Sequence, residues 1–323
     1  MILVCGGAGY IGSHINKQLH TQGYETVVLD NLKYGHKEAV KWGKLVQADL
    51  ANIDDVEKIF MEFPIECVIH LAAYAYVGES VQHPEKYYYN NVANTLNLLH
   101  IMKRYHCRKI IFSSTCATYG DPGSLPIMEE TEQKPVNPYG RTKLVIEQIL
   151  EDYRRAYGME YIVLRYFNAA GADPEGEIGE SHDPETHIIP LVLDVASGRR
   201  PCIKVFGADY DTKDGSCIRD YIHVSDLASA HLCALHYLER GGSSGCFNLG
   251  NETGTSVLEI IRAAVCETGR SIRVEIAERR PGDPAILVGC SRKAEQVLGW
   301  HPQFADIGTM IRHAWYWHEN GAF

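Results

Sequence analysis

The sequence predicts an α/β fold in which a doubly wound parallel sheet is followed by a second, smaller α/β substrate domain. Two observations carry this prediction. Short runs of buried-type residues alternate with amphipathic helical patterns over the first half of the chain, which is typical of a parallel sheet with helices on both faces. A glycine-rich turn also follows the first of these runs directly.

The first predicted strand is Ile2–Cys5, and Gly6, Gly9 and Gly12 follow it before a helix from about residue 13. Glycines at this spacing permit a tight turn and the close approach of a pyrophosphate to the helix N-terminus. The second strand ends at Asp30, which is placed to accept hydrogen bonds from an adenosine ribose. An acid there repels a 2′-phosphate, so the pattern indicates a Rossmann-type domain that binds NAD rather than NADP.

Four more strands are expected at 44–48, 67–71, 109–113 and 161–165, with helices near 54–62 and 84–105 between them. Polar or small residues close several of these strands. Because ligands bind outside the carboxyl ends of such strands, these residues are expected to face cofactor and substrate.

A further helix is predicted to begin at Pro138, with Asn137 as its cap, and to end at Gly158. Tyr139 and Lys143 then lie four residues apart on one helical face. An ammonium ion beside a phenol favours the phenolate, so we expect the pKa of Tyr139 to fall toward neutrality and the residue to serve as a base. A surface tyrosine with a solvated lysine is the alternative for this pair taken alone.

After Asn168 the composition changes, and 171–185 is rich in glycine, proline and acidic residues, as at a domain boundary. We therefore predict an NAD-binding domain at 1–170 and a substrate domain at 171–323. The segment 222–249, with a helix near 225–239 and a strand at 246–249, is a candidate to return to the main sheet.

The composition excludes several functional classes. The chain has 323 residues and a formal net charge of −10, which argues against a nucleic-acid or anionic-membrane surface. It contains no apolar run of membrane-spanning length. The 10 cysteines show neither paired nor metal-like spacing, so we expect reduced thiols, a cytoplasmic location and no metal.

Several long motifs, in order, resemble those of the extended short-chain dehydrogenase/reductase family, and within it of the UDP-glucose 4-epimerases. They include GGAGYIGSH (6–14), VGESV (77–81), SSTCATYG (113–120), NPYGRTK (137–143), LRYFN (164–168), RDYIHV (219–224) and RRPGD (279–283). The similarity extends from Ile2 to about Trp317.

The resemblance implies that Tyr139 is the acid/base, that Lys143 holds the nicotinamide ribose, and that Thr115 hydrogen-bonds the reacting sugar oxygen. It also implies a set of NAD contacts in the first domain. These are Gly6, Gly9, Tyr10, Ile11, Gly12, Asp30, Asn31, Asp49, Leu50, Leu71, Ala72, Ala73, Asn90, Ser113, Tyr139, Lys143 and Tyr166. The chain departs from some epimerases at Ala75, where they carry a lysine close to the cofactor.

The resemblance further implies a UDP-sugar site that joins residues of the first domain to residues of the second. Its members are Thr115, Tyr139, Asn168, His187, Ile188, Phe206, Arg219, Arg280, Asp283 and Leu287. Two arginines in this set suit a diphosphate, because a guanidinium makes paired charge-assisted bonds. Leu287 falls where related epimerases carry a residue that limits the size of the sugar.

The implied reaction is the inversion of C4 of a UDP-sugar through a transient 4-keto intermediate, in a homodimer. UDP-glucose and UDP-galactose are the expected pair, with UDP-arabinose/UDP-xylose or UDP-N-acetylglucosamine as alternatives. Related dehydratases carry an Asp-Glu pair where this chain has Cys116 and Ala117, so dehydration is disfavoured. A binding module that senses NAD without catalysis is a separate alternative, and the intact Tyr139, Lys143 and Thr115 argue against it.

Overall fold

A computed structural model of the chain describes residues 1–280 and 284–323. The strands are β1 Ile2–Cys5, β2 Thr26–Asp30, β3 Lys44–Gln47, β4 Cys67–His70, β5 Lys109–Thr115, β6 Glu160–Tyr166, β7 Asn168–Ala170, β8 Ile203–Phe206, β9 Ile218–Arg219, β10 Tyr221–His223, β11 Gly245–Leu249, β12 Thr255–Ser256, β13 Val274–Ala277 and β14 Ile286–Leu287. Seven of them form the central parallel sheet, in the order β11-β6-β5-β4-β1-β2-β3. The predicted fold class is confirmed.

Helices cover both faces of the sheet. They are α1 Tyr10–Thr21, α2 Ile53–Glu62, α3 Val77–Gln82, α4 Pro84–Tyr87, α5 Asn94–Arg104, α6 Pro138–Tyr157, α7 Ile188–Ala196, α8 Val224–Glu239, α9 Val257–Thr268 and α10 Ile307–Asn320. Within 1–280 and 284–323, no helix combines the length and the apolar character needed to cross a bilayer.

The inner strands of the main sheet are buried on both faces, as their near-continuous apolar sequence requires, whereas the edge strand β3 is partly exposed. On one face, α1 and α8 pack against each other over a core that includes Val4, Val28 and Leu235. On the other face, residues of α2, α5 and α6 meet a core that includes Leu3 and Val68. Segment 222–249 therefore supplies the edge strand β11 to the main sheet and α8 to the face that α1 also covers.

The remaining elements pack around a separate apolar cluster. Helices α7, α9 and α10 contact one another, and β8 pairs with β13. Ile189, Val192, Ile260 and Ile311 are among the buried members of this cluster. Two further small sheets are formed by β9 with β12 and β14, and by β10 with β7.

The single helix expected at 84–105 is instead α4, a π-helical segment at Tyr88–Ala93, and α5. The wider turn places Asn91 where its side chain binds both backbone groups of Tyr74, accepting from the N–H at 2.8 Å and donating to the oxygen at 3.0 Å. Asn91 also donates to Thr142 of α6 at 3.1 Å. The π segment thus ties α6 to the loop after β4, as such segments often do near functional sites.

A buried ion pair fastens α6 to the sheet. Arg165 of β6 donates to both carboxylate oxygens of Glu147, at 2.6 Å for the closest contact, and each side chain is 5% exposed. Glu147 also accepts from Ser114 of β5 at 2.5 Å. Arg165 donates in turn to the hydroxyl of Tyr119 at 2.8 Å. One carboxylate therefore connects α6, β5 and β6 directly below the strand ends.

Replacing Glu147 with Gln should be strongly destabilising, because it leaves the buried guanidinium of Arg165 without a counter-charge. Breaking a buried pair from one side typically costs about 3–5 kcal/mol. The shift of the unfolding midpoint in urea, with the slope checked for constancy, measures this loss. Glu151→Gln is the matched control, since Glu151 lies one turn further along α6 and pairs with Arg154 and Arg155 at the surface. Equal losses for the two variants would contradict the role assigned to the buried pair.

Candidate active site

One cavity lies at the carboxyl ends of the central strands, where a doubly wound sheet binds its ligands. Every residue predicted to contact NAD lines it. The lining residues are Gly6, Gly9, Tyr10, Ile11, Gly12, Leu29, Asp30, Asn31, Tyr34, Gly35, Ala48, Asp49, Leu50, Leu71, Ala72, Ala73, Tyr74, Ala75, Asn90, Asn94, Ser113, Tyr139, Lys143, Tyr166, Ala169, His182 and His187.

The glycine turn forms a cradle at one end of the cavity. Gly6 has φ +82°, and a Cβ there would lie 2.7 Å from the backbone nitrogen of Ala72. A Cβ on Gly12 would lie 2.1 Å from the oxygen of Gly6. Helix α1 begins at Tyr10 with Gly9 as a cap that has no side chain, so its first-turn amides border the cavity. These features fit a dinucleotide pyrophosphate bound at a helix N-terminus.

The carboxylate of Asp30 is fixed at the end of β2. One oxygen accepts from the amide of Ala8 at 3.0 Å, and the other accepts from the amide of Leu32 at 2.9 Å. Burial raises the pKa of this carboxyl, and the two backbone bonds oppose the rise. Asn31 donates to Asp49 at 2.8 Å across the ends of β2 and β3. An acid and an amide at this edge fit the adenosine end of NAD.

Tyr139, Lys143 and Thr115 come together where α6 crosses the end of β5. The carboxamide oxygen of Asn137 caps α6 by accepting from the amide of Gly140 at 2.8 Å, as the sequence predicted. Lys143, almost fully buried, donates from Nζ to the backbone oxygen of Ser113 at 2.7 Å. The hydroxyl of Thr115 lies beside Tyr139 and lowers the pKa of its phenol.

The pKa values of this pair differ from the sequence prediction. Burial raises the pKa of Tyr139 to about 12, and the bond to Thr115 only partly offsets it. Burial lowers the pKa of Lys143 to about 7, against the carboxylate of Glu147. The predicted fall of the tyrosine pKa is therefore wrong for the chain without cofactor. The reason is that burial dominates the pKa of the phenol, while Lys143 directs its ammonium at the backbone oxygen of Ser113.

One group of the predicted substrate residues lies beside Thr115. Arg219 and Leu287 are paired neighbours on the parallel strands β9 and β14. Leu287 packs against a small cluster that contains Cys116 and Phe167. The charge of Arg219 acts on the Cys116 thiol. Asn168 joins this group by donating to the backbone oxygen of Asp220 at 2.9 Å.

A second group lies on other elements. The guanidinium of Arg280 is stacked on Phe206 at the end of β8, with its carbon 3.9 Å from the ring centre. His187 lines the cavity immediately before α7, which begins at Ile188. Asp283, the remaining predicted contact, lies outside the described residues.

The sequence predictions missed an aromatic wall of the cavity. Tyr34 and Tyr74 face each other edge to face, with centroids 5.6 Å apart, and both line the cavity. Lys86 of α4 lies 4.5 Å from the Tyr74 ring centre and bonds the hydroxyl of Tyr34 at 3.4 Å. Ala75, where some epimerases have a lysine, also lines the cavity. The tyrosines at 74 and 76 and the Asn-Asn pair at 90–91 were the available signals, but neither pattern specifies which loops meet.

Known proteins resemble this chain over almost its whole length. Residues 2–250 match the profile of the NAD dependent epimerase/dehydratase family. A UDP-glucose 4-epimerase of Halalkalibacterium halodurans is 52% identical, with 98% of this chain and 95% of the relative covered. The structure of UDP-glucose 4-epimerase from Brucella ovis in complex with NAD is 50% identical, has a TM-score of 0.96 and is covered, like this chain, over 97% of its length.

A more distant structure carries both kinds of ligand. It is a UDP-glucose 4-epimerase from Stenotrophomonas maltophila with bound NAD and formylated UDP-arabinopyranose. It is 38% identical, has a TM-score of 0.95, and the alignment covers 98% of this chain and 97% of that one. With a matching profile over most of its length and a glycine cradle that fits the dinucleotide, this chain belongs to the NAD-dependent epimerase/dehydratase family.

Proposed function

We propose that the protein inverts C4 of a UDP-sugar, interconverting UDP-glucose and UDP-galactose through a transient 4-keto sugar. The observation that carries this proposal is that Tyr139 and Lys143 line a dinucleotide cavity at the end of β5, with Thr115 beside the phenol. The relatives of about 50% identity are named UDP-glucose 4-epimerases, which supports the same activity.

NAD, when bound, supplies a hydride acceptor and the positive charge of its oxidised ring. Tyr139 removes the proton of the sugar 4-hydroxyl and returns it at the end of the cycle. Thr115 orients the same oxygen, since its hydroxyl both donates and accepts. Lys143, fixed on Ser113, places an ammonium one helical turn from the phenol and favours its ionised form.

The UDP half of the substrate is assigned to Asn168 and to residues of 171–323 that do not belong to α8 or β11. Arg219 and Arg280 neutralise the diphosphate, with Asn168 and the His187–Ile188 segment beside it. Phe206 covers the uracil, and Asp283 binds the uridine ribose. The stacking of Arg280 on Phe206 supports this assignment, because it places a cation directly beside the proposed base platform.

Elimination of water is disfavoured by the residues that follow Thr115. Burial raises the pKa of the Cys116 thiol to about 12, and Ala117 has no titratable group. Neither residue can supply the acid and base that a dehydratase needs. Inversion without elimination is therefore the reaction that this site supports.

We also propose that the protein is a cytoplasmic homodimer. The ten cysteines, all among the described residues, are unpaired, as in a reducing compartment. Leu98 and Leu99 of α5 are fully buried in the subunit's own core. Val81, Tyr89 and Leu96 remain exposed on the same helical layer, with Tyr89 73% exposed. Such a group of apolar side chains suits a helix–helix contact between subunits.

Light scattering at micromolar concentration should give the mass of two chains, and Leu96→Glu should shift the mass toward one chain by placing charges in the contact. Leu98→Glu is unsuitable because that position is in the core. A monomer mass for the unmodified chain would refute the dimer.

Tyr139→Phe should keep the fold and the bound NAD but lower turnover of UDP-galactose by roughly 100-fold or more, because only the proton path is removed. Turnover and NAD content of the purified variant are the two measurements. Tyr157→Phe is the matched control, as the same substitution on the same helix at its exposed end. Near-normal turnover in Tyr139→Phe would refute the mechanism.

Leu287 should limit the size of the sugar, because it packs beside Cys116 and is paired with Arg219. A medium-sized side chain is expected to favour UDP-glucose and UDP-galactose over N-acetylated sugars. Leu287→Ser should raise the relative activity on UDP-N-acetylglucosamine, and Leu287→Tyr should abolish it while sparing the hexose reaction. UDP-xylose, which lacks the C6 hydroxymethyl, should be accepted by all three proteins. An unchanged activity ratio in both variants would show that Leu287 is not the limiting residue.

A further inference from the structure

Residues 180–187, here called the rim segment, border the cavity and contain a cluster of four side chains that can ligate a metal. One ligand atom each from Glu180, His182, Glu185 and His187 lies within 4.8 Å of the others. Both histidines line the cavity. We propose that this cluster binds one divalent transition cation, with zinc as the best-suited ion.

The distances within the cluster approach those of a tetrahedral site. The Nδ1 atom of His182 lies 3.2 Å from a Glu180 oxygen and 3.6 Å from a Glu185 oxygen. Zinc bonds to nitrogen and oxygen of about 2.0–2.1 Å give ligand–ligand edges of about 3.3–3.4 Å. The Nδ1 atom of His187 faces the same Glu180 oxygen in a shorter contact. The two distances from His182 are thus already near those of a tetrahedral site. The distance between His187 and Glu180 has to increase when a cation binds.

The ligands are held in place by groups around them. One oxygen of Glu185 accepts from the amides of Thr186 at 2.6 Å and His187 at 2.7 Å, which turns its other oxygen toward His182. Outside the cluster, the indole of Trp317 donates to the backbone oxygen of Glu180 at 3.0 Å. Such supporting contacts orient metal ligands before the ion arrives.

The backbone of the rim segment has further supports. His36 bonds the oxygen of Ser181 at 3.1 Å, and Tyr76 donates to the oxygen of Pro184 at 3.1 Å. Three separate parts of the chain therefore fix this loop. A prearranged set of ligands costs little ordering free energy on binding.

The charge and the type of ligand select the ion. Two carboxylates and two neutral imidazoles carry a formal charge of −2, which a divalent cation neutralises. Imidazole nitrogen favours zinc and its neighbours over magnesium or calcium, which prefer oxygen alone. The chain has a second cluster of carboxylates, formed by Asp173, Glu175 and Glu177. The ammonium of Lys17 lies 2.6–2.8 Å from all three and already occupies the place that a cation would take.

The carboxylates of the cluster favour the protonated form of its two imidazoles when no cation is bound. Burial by itself lowers the pKa of His182, but the carboxylates of Glu180 and Glu185 raise that pKa to about 10. The pKa of His187 is raised in the same way by Glu180, whose own pKa falls to about 2 against its burial. A metal must displace the imidazole protons, so its binding should release protons in proportion. The alternative to a metal site is a cluster of ion pairs between protonated imidazoles and carboxylates.

The test is a titration of the untagged full-length chain, treated with a chelator and dialysed, with Co²⁺ and then Zn²⁺. We expect one equivalent of Co²⁺ to give the strong visible absorption of tetrahedral cobalt, and zinc to remove it. The absence of a one-equivalent site in this protein would overturn the proposal, whatever the outcome of the activity experiments.

His182→Gln and Glu185→Gln each remove one ligand and should weaken zinc binding by more than roughly 10-fold. His83→Gln is the matched control, because His83 faces Glu85 at 3.9 Å in an exposed pair outside the cluster. His187 is left unchanged because of its proposed substrate contact. Thermal melts establish that the variants fold. Equal zinc affinity in all four proteins would assign the binding elsewhere and overturn the proposal.

Discussion

The site depends on one buried carboxylate. Glu147 lies one turn beyond Lys143 on α6, binds Arg165 of β6 through both oxygens and accepts from Ser114 of β5. Ser113 and Thr115, the residues on either side of Ser114 in β5, contact Lys143 and Tyr139 respectively. The distance from helix to strand at the reacting end of the site is therefore set by a single ion pair. Because both partners are buried, neither can be lost without leaving a charge in the protein interior.

The same carboxylate also governs the electrostatics of the site. Burial acts on Lys143 and Tyr139 in opposite directions on the pKa scale, and in each case favours the uncharged form. Catalysis by the phenol needs the charged lysine. Glu147 supplies the negative charge that sustains it, at a position where the carboxylate is itself neutralised by Arg165. With Lys143 charged, the three buried groups carry a net charge of +1, and the helix presents this cation to the cavity.

Much of the first half could be predicted from the sequence because its signals are local. The cap at Asn137, the glycine turn and Asp30 each have a fixed relation to the element beside them, and parallel strands bring their carboxyl ends to one edge. The aromatic wall at Tyr34 and Tyr74, the π segment around Asn91 and the rim segment were not predictable, because they depend on which distant loops meet. The pKa of Tyr139 was predicted wrongly for a related reason, since spacing along a helix carries no information about burial.

The central claim is that the ammonium of Lys143 makes the phenol of Tyr139 available as a base. The most direct measurement is the pH dependence of UDP-galactose turnover for Lys143→Ala beside the unmodified enzyme, with NAD content matched. Removing the cation raises the phenol pKa, so the account predicts low activity near neutrality that recovers as the pH rises, with the limb displaced to higher pH. A profile lowered equally at every pH, or left unchanged, would contradict the coupling of the two residues.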